Sequence, residues 1–144
     1  MKANWIKVID VMSKDPLTVS RSDTVGQAEE LMYENHYRQL PVVENRQLIG
    51  IVTDRDIRSF LAQSSLLKPE ERGRALRTKV SDIMTAKPLT MSTEDDLREA
   101  VEMLIDEKIG GIPVVDETEG LVGIVTYVDI LRCFLNRLEE EDQA

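Results

Sequence analysis

The feature that most constrains the fold of this sequence is a pattern that occurs twice. Residues 50–57 read GIVTDRDI and residues 123–130 read GIVTYVDI, so each copy is an apolar run ending in Thr, with Asp three positions later. Three further stretches recur in the same order: residues 8–12 and 80–84, 16–20 and 88–92, and 40–43 and 112–115. The copies lie about 72 residues apart, with one extra residue before Leu121. A period this long exceeds that of a solenoid repeat and indicates a duplicated small module.

Each copy predicts the order strand, helix, strand, strand, helix. Apolar runs predict the strands, and apolar residues at helical spacing after a capping residue predict the helices. The first copy is expected to form a helical turn at residues 6–12, strands at 17–20, 40–43 and 48–52, a helix from 22–24 to about 35, and a second helix from 54 into the low sixties. The second copy is expected to form strands near 89–92, 112–115 and 121–125, and helices near 94–107 and 127–138.

This order predicts a mixed α/β fold made of two β-α-β-β-α units. The first unit is expected at residues 1–63, a linker at 64–79 and the second unit at 80–144. Pro69 stands at a plausible first helical position, so the linker is expected to hold a short helix. Acidic residues 139–142 predict a fraying, solvated helix end. Three strands and two helices cover both faces of a sheet poorly, so the two units are expected to pack into one module.

Composition excludes several function classes. The net charge of −9 disfavours binding to nucleic acid or to an anionic membrane surface. The apolar runs are much shorter than the ~20 residues of a membrane span, and the N-terminus shows no export signal. Cys133 is the only cysteine, which excludes an internal disulfide. We therefore expect a soluble, cytoplasmic protein.

The repeated Thr-x-x-Asp stretch predicts a buried strand that continues directly into a helix. The start of a helix presents backbone N–H groups and a positive dipole end, which suit an anion. The same residues also have a purely structural explanation. Thr is a good N-cap, and an acid three residues later stabilises the first turn, together by ~1 kcal/mol. Both interpretations are compatible and both stay open on the residues alone.

The repeated elements resemble a tandem pair of cystathionine β-synthase (CBS) domains, often called a Bateman module. The likeness rests on Asp-φ-Met, Pro-φ-Thr, φ-Pro-Val-Val and Gly-φ-Val-Thr-x-x-Asp, where φ is apolar, and it covers essentially the whole chain. It implies a stand-alone module with pseudo-twofold symmetry, whose units form clefts that bind adenine nucleotides or related adenosyl ligands. It also implies a homodimer, because such modules commonly pair.

The resemblance also implies which residues form the two sites. In each, Asp would accept hydrogen bonds from ribose hydroxyls and Thr would lie near the phosphate. One site would combine the following residues: Asp129, Thr126, Thr18, Tyr37, Arg38 and Gln39. The other would combine Asp56, Thr53, Thr90, Ile109, Gly110 and Gly111. Arg38 can bind a phosphate through two hydrogen bonds, whereas its counterpart Gly110 offers only backbone, so the Asp129 site is expected to bind better. Alternatively, Arg38 is a solvated surface residue and Tyr37 a core residue.

The expected function is a sensor that binds an adenosyl ligand and signals to an unidentified partner protein. AMP is the first candidate, with ADP, ATP or S-adenosylmethionine as others, and energy sensing is the expected use. No nucleophile elbow, Walker loop or dinucleotide fingerprint occurs, so the chain is not expected to be an enzyme. His36, the only histidine, does not indicate a metal site. Two alternatives stay open: a ligand-free dimerisation or interaction module, and a small nucleotide-processing enzyme.

Overall fold

The structure is a computed structural model that describes residues 5–63 and 68–143. It divides into two compact units, which we name after the repeat that supplies most of each. The first-repeat unit is Leu17–Pro88, and the second-repeat unit joins the residues up to Pro16 with those from Leu89 onward. The boundaries expected at residues 63 and 80 follow the sequence repeat. The compact units differ from the repeat, because the residues up to Pro16 join the second-repeat unit and residues 80–88 join the first-repeat unit.

The described residues form a mixed α/β structure of six helices and seven strands, as predicted. In chain order these are α1 (Val8–Val11), β1 (Ser13–Lys14), α2 (Val25–Asn35), β2 (Gln39–Glu44), β3 (Gln47–Thr53), α3 (Asp54–Ala62), α4 (Pro69–Leu76), β4 (Thr85–Ala86), β5 (Met91–Ser92), α5 (Leu97–Glu107), β6 (Gly111–Val115), β7 (Leu121–Thr126) and α6 (Tyr127–Gln143). A 3-10 turn at Val80–Asp82 precedes β4.

Each unit contains one sheet built around an antiparallel hairpin. The first-repeat unit has the strand order β2-β3-β4, and the second-repeat unit has the order β1-β7-β6-β5. Both hairpins carry a register irregularity at the same place in the repeat, between Val42 and Val43 and between Val114 and Val115. A β-bulge at equivalent positions is the structural counterpart of the duplicated sequence.

The short strands β1 and β4 are exchanged between the repeats. β1 comes from the first copy but pairs with β7 of the second, Ser13 lying opposite Ile124. β4 comes from the second copy and pairs with β3 of the first, Thr85 lying opposite Ile51. Each sheet is therefore completed by the opposite repeat.

A side-chain contact also joins the two copies. The Lys7 ammonium, just before α1, donates to the Glu94 carboxylate, and this hydrogen bond raises the pKa of Lys7.

Each unit has its own apolar core. Leu40, Val42 and Val52 are fully buried in the first-repeat unit, where α2 and α3 pack against the sheet. Ile112, Val114 and Val125 occupy the equivalent places in the second-repeat unit. Alternate residues of these strands point to opposite faces, so the continuous apolar runs supply the core and also the second face of each sheet.

Most of the predicted elements are confirmed. Thr24 caps α2 by accepting the Gln27 N–H at 3.1 Å, and His36 ends α2 in the left-handed conformation, so His36 is a helix-end residue. The expected linker helix is α4, with Pro69 in its first turn; residues 64–67 of the predicted linker lie outside the described residues. α6 extends to Gln143, so the acidic end predicted to fray is helical and exposed.

Several predictions were wrong in extent: the strand expected near residues 89–92 is only Met91–Ser92, and the helix expected near 127–138 extends to Gln143. The strand expected at residues 17–20 is reduced to one bridge, in which Val19 lies parallel to Val42 and makes hydrogen bonds to Pro41 and Val43. α5 begins at Leu97, three residues later than expected, because the Asp96 carboxylate caps it by accepting the Arg98 N–H. No helix within residues 5–63 or 68–143 has the length and apolar character needed to span a membrane.

The extra residue of the second repeat lies in the turn between β6 and β7. The Asp116 carboxylate organises this turn by accepting hydrogen bonds from the Thr118 hydroxyl and from the Gly120 and Thr118 amides. These bonds lower the pKa of Asp116, the Thr118 hydroxyl contributing most. The extra residue is thus accommodated within a hydrogen-bonded turn, and the strand pairing of this hairpin matches that of the first repeat.

Candidate functional site

The two Thr-x-x-Asp stretches occupy equivalent strand–helix junctions. β3 continues into α3 at Thr53, which is the N-cap of that helix. The Asp56 N–H donates to Thr53 Oγ1 at 3.0 Å, and the Thr53 N–H donates to Asp56 Oδ2 at 3.0 Å. This reciprocal arrangement is a capping box with Asp in the third position of the helix. The capping interpretation is therefore confirmed at this junction.

The junction between β7 and α6 makes the same contacts and adds one more. Asp129 Oδ2 accepts the Thr126 N–H at 2.9 Å and the Thr126 hydroxyl at 3.0 Å. The Asp129 N–H donates to Thr126 Oγ1 at 3.2 Å. Asp129 is only 7% exposed and is the one buried charged residue in the described chain. A buried carboxylate is stable only when its oxygens accept hydrogen bonds, as they do here.

Most backbone N–H groups of each first turn are already used within the chain. The Asp54 N–H donates to the Arg38 carbonyl at 2.9 Å, and the Tyr127 N–H donates to the Gly110 carbonyl at 3.2 Å. The preceding strand and the capping Thr therefore satisfy most of the amides that these junctions were expected to present to an anion. α3 also carries Asp54 and Asp56 in its first turn, which opposes an anion there.

The two carboxylates differ in their second oxygen. The Ser13 hydroxyl, on the exchanged strand β1, donates to Asp129 Oδ1 at 2.9 Å. Thr85 holds the equivalent place on β4, yet Asp56 Oδ1 accepts no hydrogen bond from residues 5–63 and 68–143. Asp56 is partly exposed, whereas Asp129 is buried. Both oxygens of Asp129 therefore accept hydrogen bonds, Oδ1 from Ser13, whereas Oδ1 of Asp56 is available to accept one.

Each junction lies beside residues of its own repeat. Gln39 pairs with Thr53 across β2 and β3, and the Arg38 carbonyl holds the start of α3. In the second repeat, Gly111 pairs with Thr126, and the Gly110 carbonyl holds the start of α6. These close placements follow from the hairpins, in which the start of one strand lies opposite the end of the next.

The remaining predicted residues are accessible. Thr18, Arg38 and Thr90 are exposed, and Ile109 is partly buried against the core of the second-repeat unit. The combination of Asp129 with residues 18 and 37–39, and of Asp56 with residues 90 and 109–111, joins the two units and stays a prediction.

Tyr37 does not lie in the core. The residue is 47% exposed and lines a groove of about 560 Å³ on the first-repeat unit, formed mainly by α2 and α3. Tyr33, Met32 and Ile57 supply the apolar part of the lining, which also contains Gly26, Glu29, Glu30, Asp54 and Arg58. Arg58 lies 3.5 Å from Asp54, so this cation is engaged on its own helix.

The described residues contain no group of three or more His, Cys, Asp and Glu side chains that could hold a metal ion.

The sequence analysis did not identify Ser13 as a site residue, although the sequence contains a signal for it. Ser13 and Thr85 follow the Met of the repeated Asp-φ-Met element, and both carry a hydroxyl. Their importance depends on the strand exchange, which the repeat alone does not reveal.

Two equivalent capped junctions, on two sheets built around the same antiparallel hairpin, define a tandem pair of small α/β domains. The chain belongs to the CBS domain family, whose model matches residues 8–63 and 80–136. The protein MJ1225 of Methanocaldococcus jannaschii is 30% identical over 147 residues, an alignment that covers 96% of this chain and 52% of MJ1225. This chain thus spans about half the length of that relative.

Solved structures of similar domain pairs contain adenosyl ligands. CBSX2 of Arabidopsis thaliana in complex with AMP is 28% identical, has a TM-score of 0.78, and is matched over 90% of this chain and 96% of its own. The CBS domain pair of protein MJ0100, in complex with 5′-methylthioadenosine and S-adenosyl-L-methionine, is 29% identical with a TM-score of 0.76. That match covers 90% of this chain and 99% of the MJ0100 pair.

Proposed function

We propose that this chain is a regulatory module that binds an adenosyl ligand at its strand–helix junctions and transmits ligand occupancy to a partner protein. The observation that carries the proposal is the Asp56 carboxylate, which is fixed by capping through Oδ2 and keeps Oδ1 available. Such an oxygen can accept ribose hydroxyls without any rearrangement of the helix start. The ligands of CBSX2 and of the MJ0100 pair, which share an adenosyl group, support the ligand class.

AMP is the ligand we propose first, and energy sensing would then be the use of the module. Hydrogen bonds to a charged acceptor contribute ~1.5–3 kcal/mol each, so a carboxylate that accepts two ribose hydroxyls dominates recognition of the nucleoside. The exposed guanidinium groups of Arg38 and Arg55 supply positive charge for a phosphate. A phosphate needs such side chains because the first-turn amides are largely occupied.

The contacts favour Asp56 over Asp129 as the stronger site, the reverse of the order expected from Arg38 and Gly110. A ligand reaches Asp56 Oδ1 directly. At Asp129 it competes with the Ser13 hydroxyl, which already occupies one acceptor position of Oδ1 on a carboxylate that is almost completely buried. A ribose hydroxyl that takes the place of Ser13 gains less, because the hydrogen bond of this exposed hydroxyl, worth ~1 kcal/mol, is lost.

Replacing Asp56 with alanine should weaken AMP binding tenfold or more, which corresponds to about 1.4 kcal/mol. Isothermal titration calorimetry with AMP, ADP, ATP and S-adenosylmethionine measures the effect. Asp54→Ala is the matched control, because it removes a carboxylate from the same helical turn, where Asp54 pairs with Arg58. Circular dichroism should show both variants folded. Unchanged AMP affinity in folded Asp56→Ala would restrict this residue to capping, and no binding of any of the four ligands to the wild type at millimolar concentration would exclude the sensor.

Replacing Ser13 with alanine should strengthen binding at the Asp129 junction by about threefold to tenfold, because the ligand no longer displaces a hydrogen bond of ~1 kcal/mol. The same titrations in the Asp56→Ala background isolate this site. Thr85→Ala is the control: it removes the equivalent hydroxyl, which makes no hydrogen bond to Asp56 in the described chain. Equal responses to the two substitutions would refute competition between Ser13 and the ligand.

Displacement of Ser13 offers a route for signalling. Ser13 lies on β1, which belongs to the exchanged segment with α1, so a ligand at Asp129 weakens one tether of that segment. Transmission requires that the ligand bind one arrangement of this segment more tightly than another. The partner protein would read the change in the exchanged segment.

A ligand-free interaction module is the second candidate, and the Asp129 junction favours it. Its carboxylate has hydrogen-bond donors on both oxygens without any ligand. If both aspartates acted only as helix caps, neither aspartate substitution would change the affinity for any of the four ligands. The calorimetric series above therefore separates the two functions.

A further inference from the structure

The groove beside Tyr37 is lined mainly by residues that the candidate ligand site does not use. It lies on the first-repeat unit along α2 and α3, and we name it the α2–α3 groove. The most buried residues of its lining are apolar: Met32 is 5% exposed and Ile57 is 2% exposed. Tyr33, in contrast, is 83% exposed and lines the same groove. Large aromatic residues in a groove with a buried apolar floor mark a binding surface.

The rim of the α2–α3 groove is acidic. Glu29 and Glu30 are exposed on α2, and neither makes an ion pair with any residue in the ranges 5–63 and 68–143. Asp54 also belongs to the lining, but its charge is offset by Arg58, 3.5 Å away. The groove therefore presents two uncompensated carboxylates together with two tyrosines. Carboxylates attract a cation by charge, and tyrosine rings attract it through their π faces.

The acidic character of this groove is specific to the first repeat. Four of its lining residues are replaced by apolar ones at the equivalent positions of the second repeat, on α5 and α6. The replacements are Glu29 by Val101, Tyr33 by Ile105, Asp54 by Tyr127, and Arg58 by Leu131. The shared fold therefore does not require a polar groove, and neither the capping nor the core packing of α2 uses Glu29 or Glu30.

We propose that the α2–α3 groove binds a basic segment of the partner protein, in which lysine or arginine side chains lie beside apolar ones. This inference rests on the proposed function, because it names the surface that the partner contacts. The apolar side chains of the segment would pack on Met32 and Ile57, and its cations would meet Glu29, Glu30 and the tyrosine rings. The net charge of −9 also attracts a basic partner during encounter.

The exposure of the rim favours a protein segment over a small molecule. Pockets for small ligands bury about 70–90% of the ligand surface, which requires walls on most sides. Tyr33 is too exposed to form such a wall. A surface groove beside two helices is instead a common site for an amphipathic helix of a partner protein, whose apolar side enters the groove. The cations of such a helix then lie at the rim, where the carboxylates are.

The α2–α3 groove reaches the Asp56 junction. Asp54 lines the groove and lies two residues before Asp56, in the first turn of α3. The Asp54 N–H donates to the Arg38 carbonyl, and Tyr37, which also lines the groove, directly precedes Arg38. A ligand at Asp56 and a segment in the groove would therefore contact the same helical turn. Binding of either then changes the affinity for the other by the same factor.

Fluorescence anisotropy with a labelled peptide and the full chain tests the docking surface. The probe is a helix-forming peptide of about 18 residues, with leucine on one face and lysine on the other. A second peptide with glutamate in place of lysine is the charge control. At about 150 mM salt, which screens distant charges, the chain should bind the lysine peptide with a Kd of about 10 µM. It should bind the glutamate peptide at least tenfold more weakly.

Two charge variants separate the groove from the general charge of the protein. Glu29→Lys/Glu30→Lys should weaken binding of the lysine peptide at least tenfold. Glu139→Lys/Glu140→Lys is the matched control, because it makes the same change in net charge at the exposed end of α6, and it should weaken binding less than twofold. Tyr33→Ala should weaken binding about threefold, through loss of an exposed ring. Circular dichroism establishes that all three variants are folded.

Three results would overturn the proposed docking site. The first is a wild-type chain that does not bind the lysine peptide. The second is an equal loss of binding in the two charge variants, which would reduce the interaction to general attraction. The third comes from sedimentation without peptide: a change of oligomeric state in Glu29→Lys/Glu30→Lys, but not in the control, would assign the groove to a second copy of this chain.

AMP provides a separate readout of the coupling. Saturating AMP should change the affinity for the lysine peptide at least threefold in the wild type and leave it unchanged in Asp56→Ala. A wild-type chain that binds AMP by calorimetry, yet binds the peptide equally with and without it, would overturn the coupling. A chain that binds the peptide through Glu29 and Glu30 but binds no AMP would support the docking site and exclude the sensor.

Discussion

Replacing Gly123 with valine should destabilise the second-repeat unit by about 3 kcal/mol, because the new side chain would collide with the exchanged strand. A Cβ at Gly123 would lie 2.6 Å from Met12 Sδ and 2.9 Å from the Ser13 carbonyl oxygen. The thioether can move, but the carbonyl belongs to β1, whose pairing with β7 fixes it. Overpacking a tight site costs ~1–3 kcal/mol, and loss of the β1 pairing adds to this. Urea denaturation followed by circular dichroism measures the difference.

The repeat supplies both a parallel test and a control. A Cβ at Gly50 would lie 2.5 Å from Met84 Sδ and 3.0 Å from the Thr85 carbonyl oxygen, so Gly50→Val should cost about as much in the first-repeat unit. Gly73 in α4 meets only Arg77 Nη1, at 3.5 Å, and Gly73→Val should be neutral or slightly stabilising. If Gly123→Val lost less than about 0.5 kcal/mol, close packing of β1 on β7 would be contradicted.

These glycines show where sequence reasoning succeeds and where it stops. The helices and long strands were predictable because their signals are local: Thr24 caps α2, and Pro69 stands in the first turn of α4. β1 and β4 were not, because two residues are too few to show a period of two. Their exchange is a non-local pairing, and nothing within residues 8–16 specifies that the partner is β7. Gly123 stands where the exchanged backbone approaches closely enough to leave no room for a Cβ.

The contacts of the candidate site were also predictable only where they depend on residues close together in the sequence. The Thr-x-x-Asp spacing correctly predicted the capping contacts, since a capping box depends only on residues three apart. The paired amides at Asp54 and Tyr127 were not predictable from that spacing. Their acceptors, the Arg38 and Gly110 carbonyls, lie about 16 residues earlier and reach the junction only through the hairpin. The resemblance to the CBS family supplied the adenosyl ligand class, which no local pattern contains.

Replacing Asp129 with alanine should cost about 2–3 kcal/mol of stability, roughly two to three times the cost of Asp56→Ala. Loss of the Asp56 carboxylate removes a cap contact in a partly exposed position, for which ~1 kcal/mol is typical. Loss of the Asp129 carboxylate leaves the Thr126 N–H and the Ser13 hydroxyl without their acceptor. An unsatisfied amide costs ~1–3 kcal/mol at the partly buried Thr126, whereas the exposed Ser13 hydroxyl loses a hydrogen bond but can turn to water. Urea denaturation of both variants, without nucleotide, gives the comparison.

A double-mutant cycle between residues 13 and 129 then assigns the extra cost. Ser13→Ala should destabilise the wild type by ~1 kcal/mol and the Asp129→Ala variant by almost nothing, because the hydroxyl has already lost its acceptor. Thr85→Ala with Asp56→Ala should instead be additive, since those side chains make no hydrogen bond in the described structure. Additivity at both junctions would mean that Ser13 does not close the Asp129 carboxylate, and the preference for ligand at Asp56 would lose its physical basis. Coupling at the Asp129 junction alone would show that the duplicated junctions have diverged, one tethering the exchanged strand and the other keeping its carboxylate accessible.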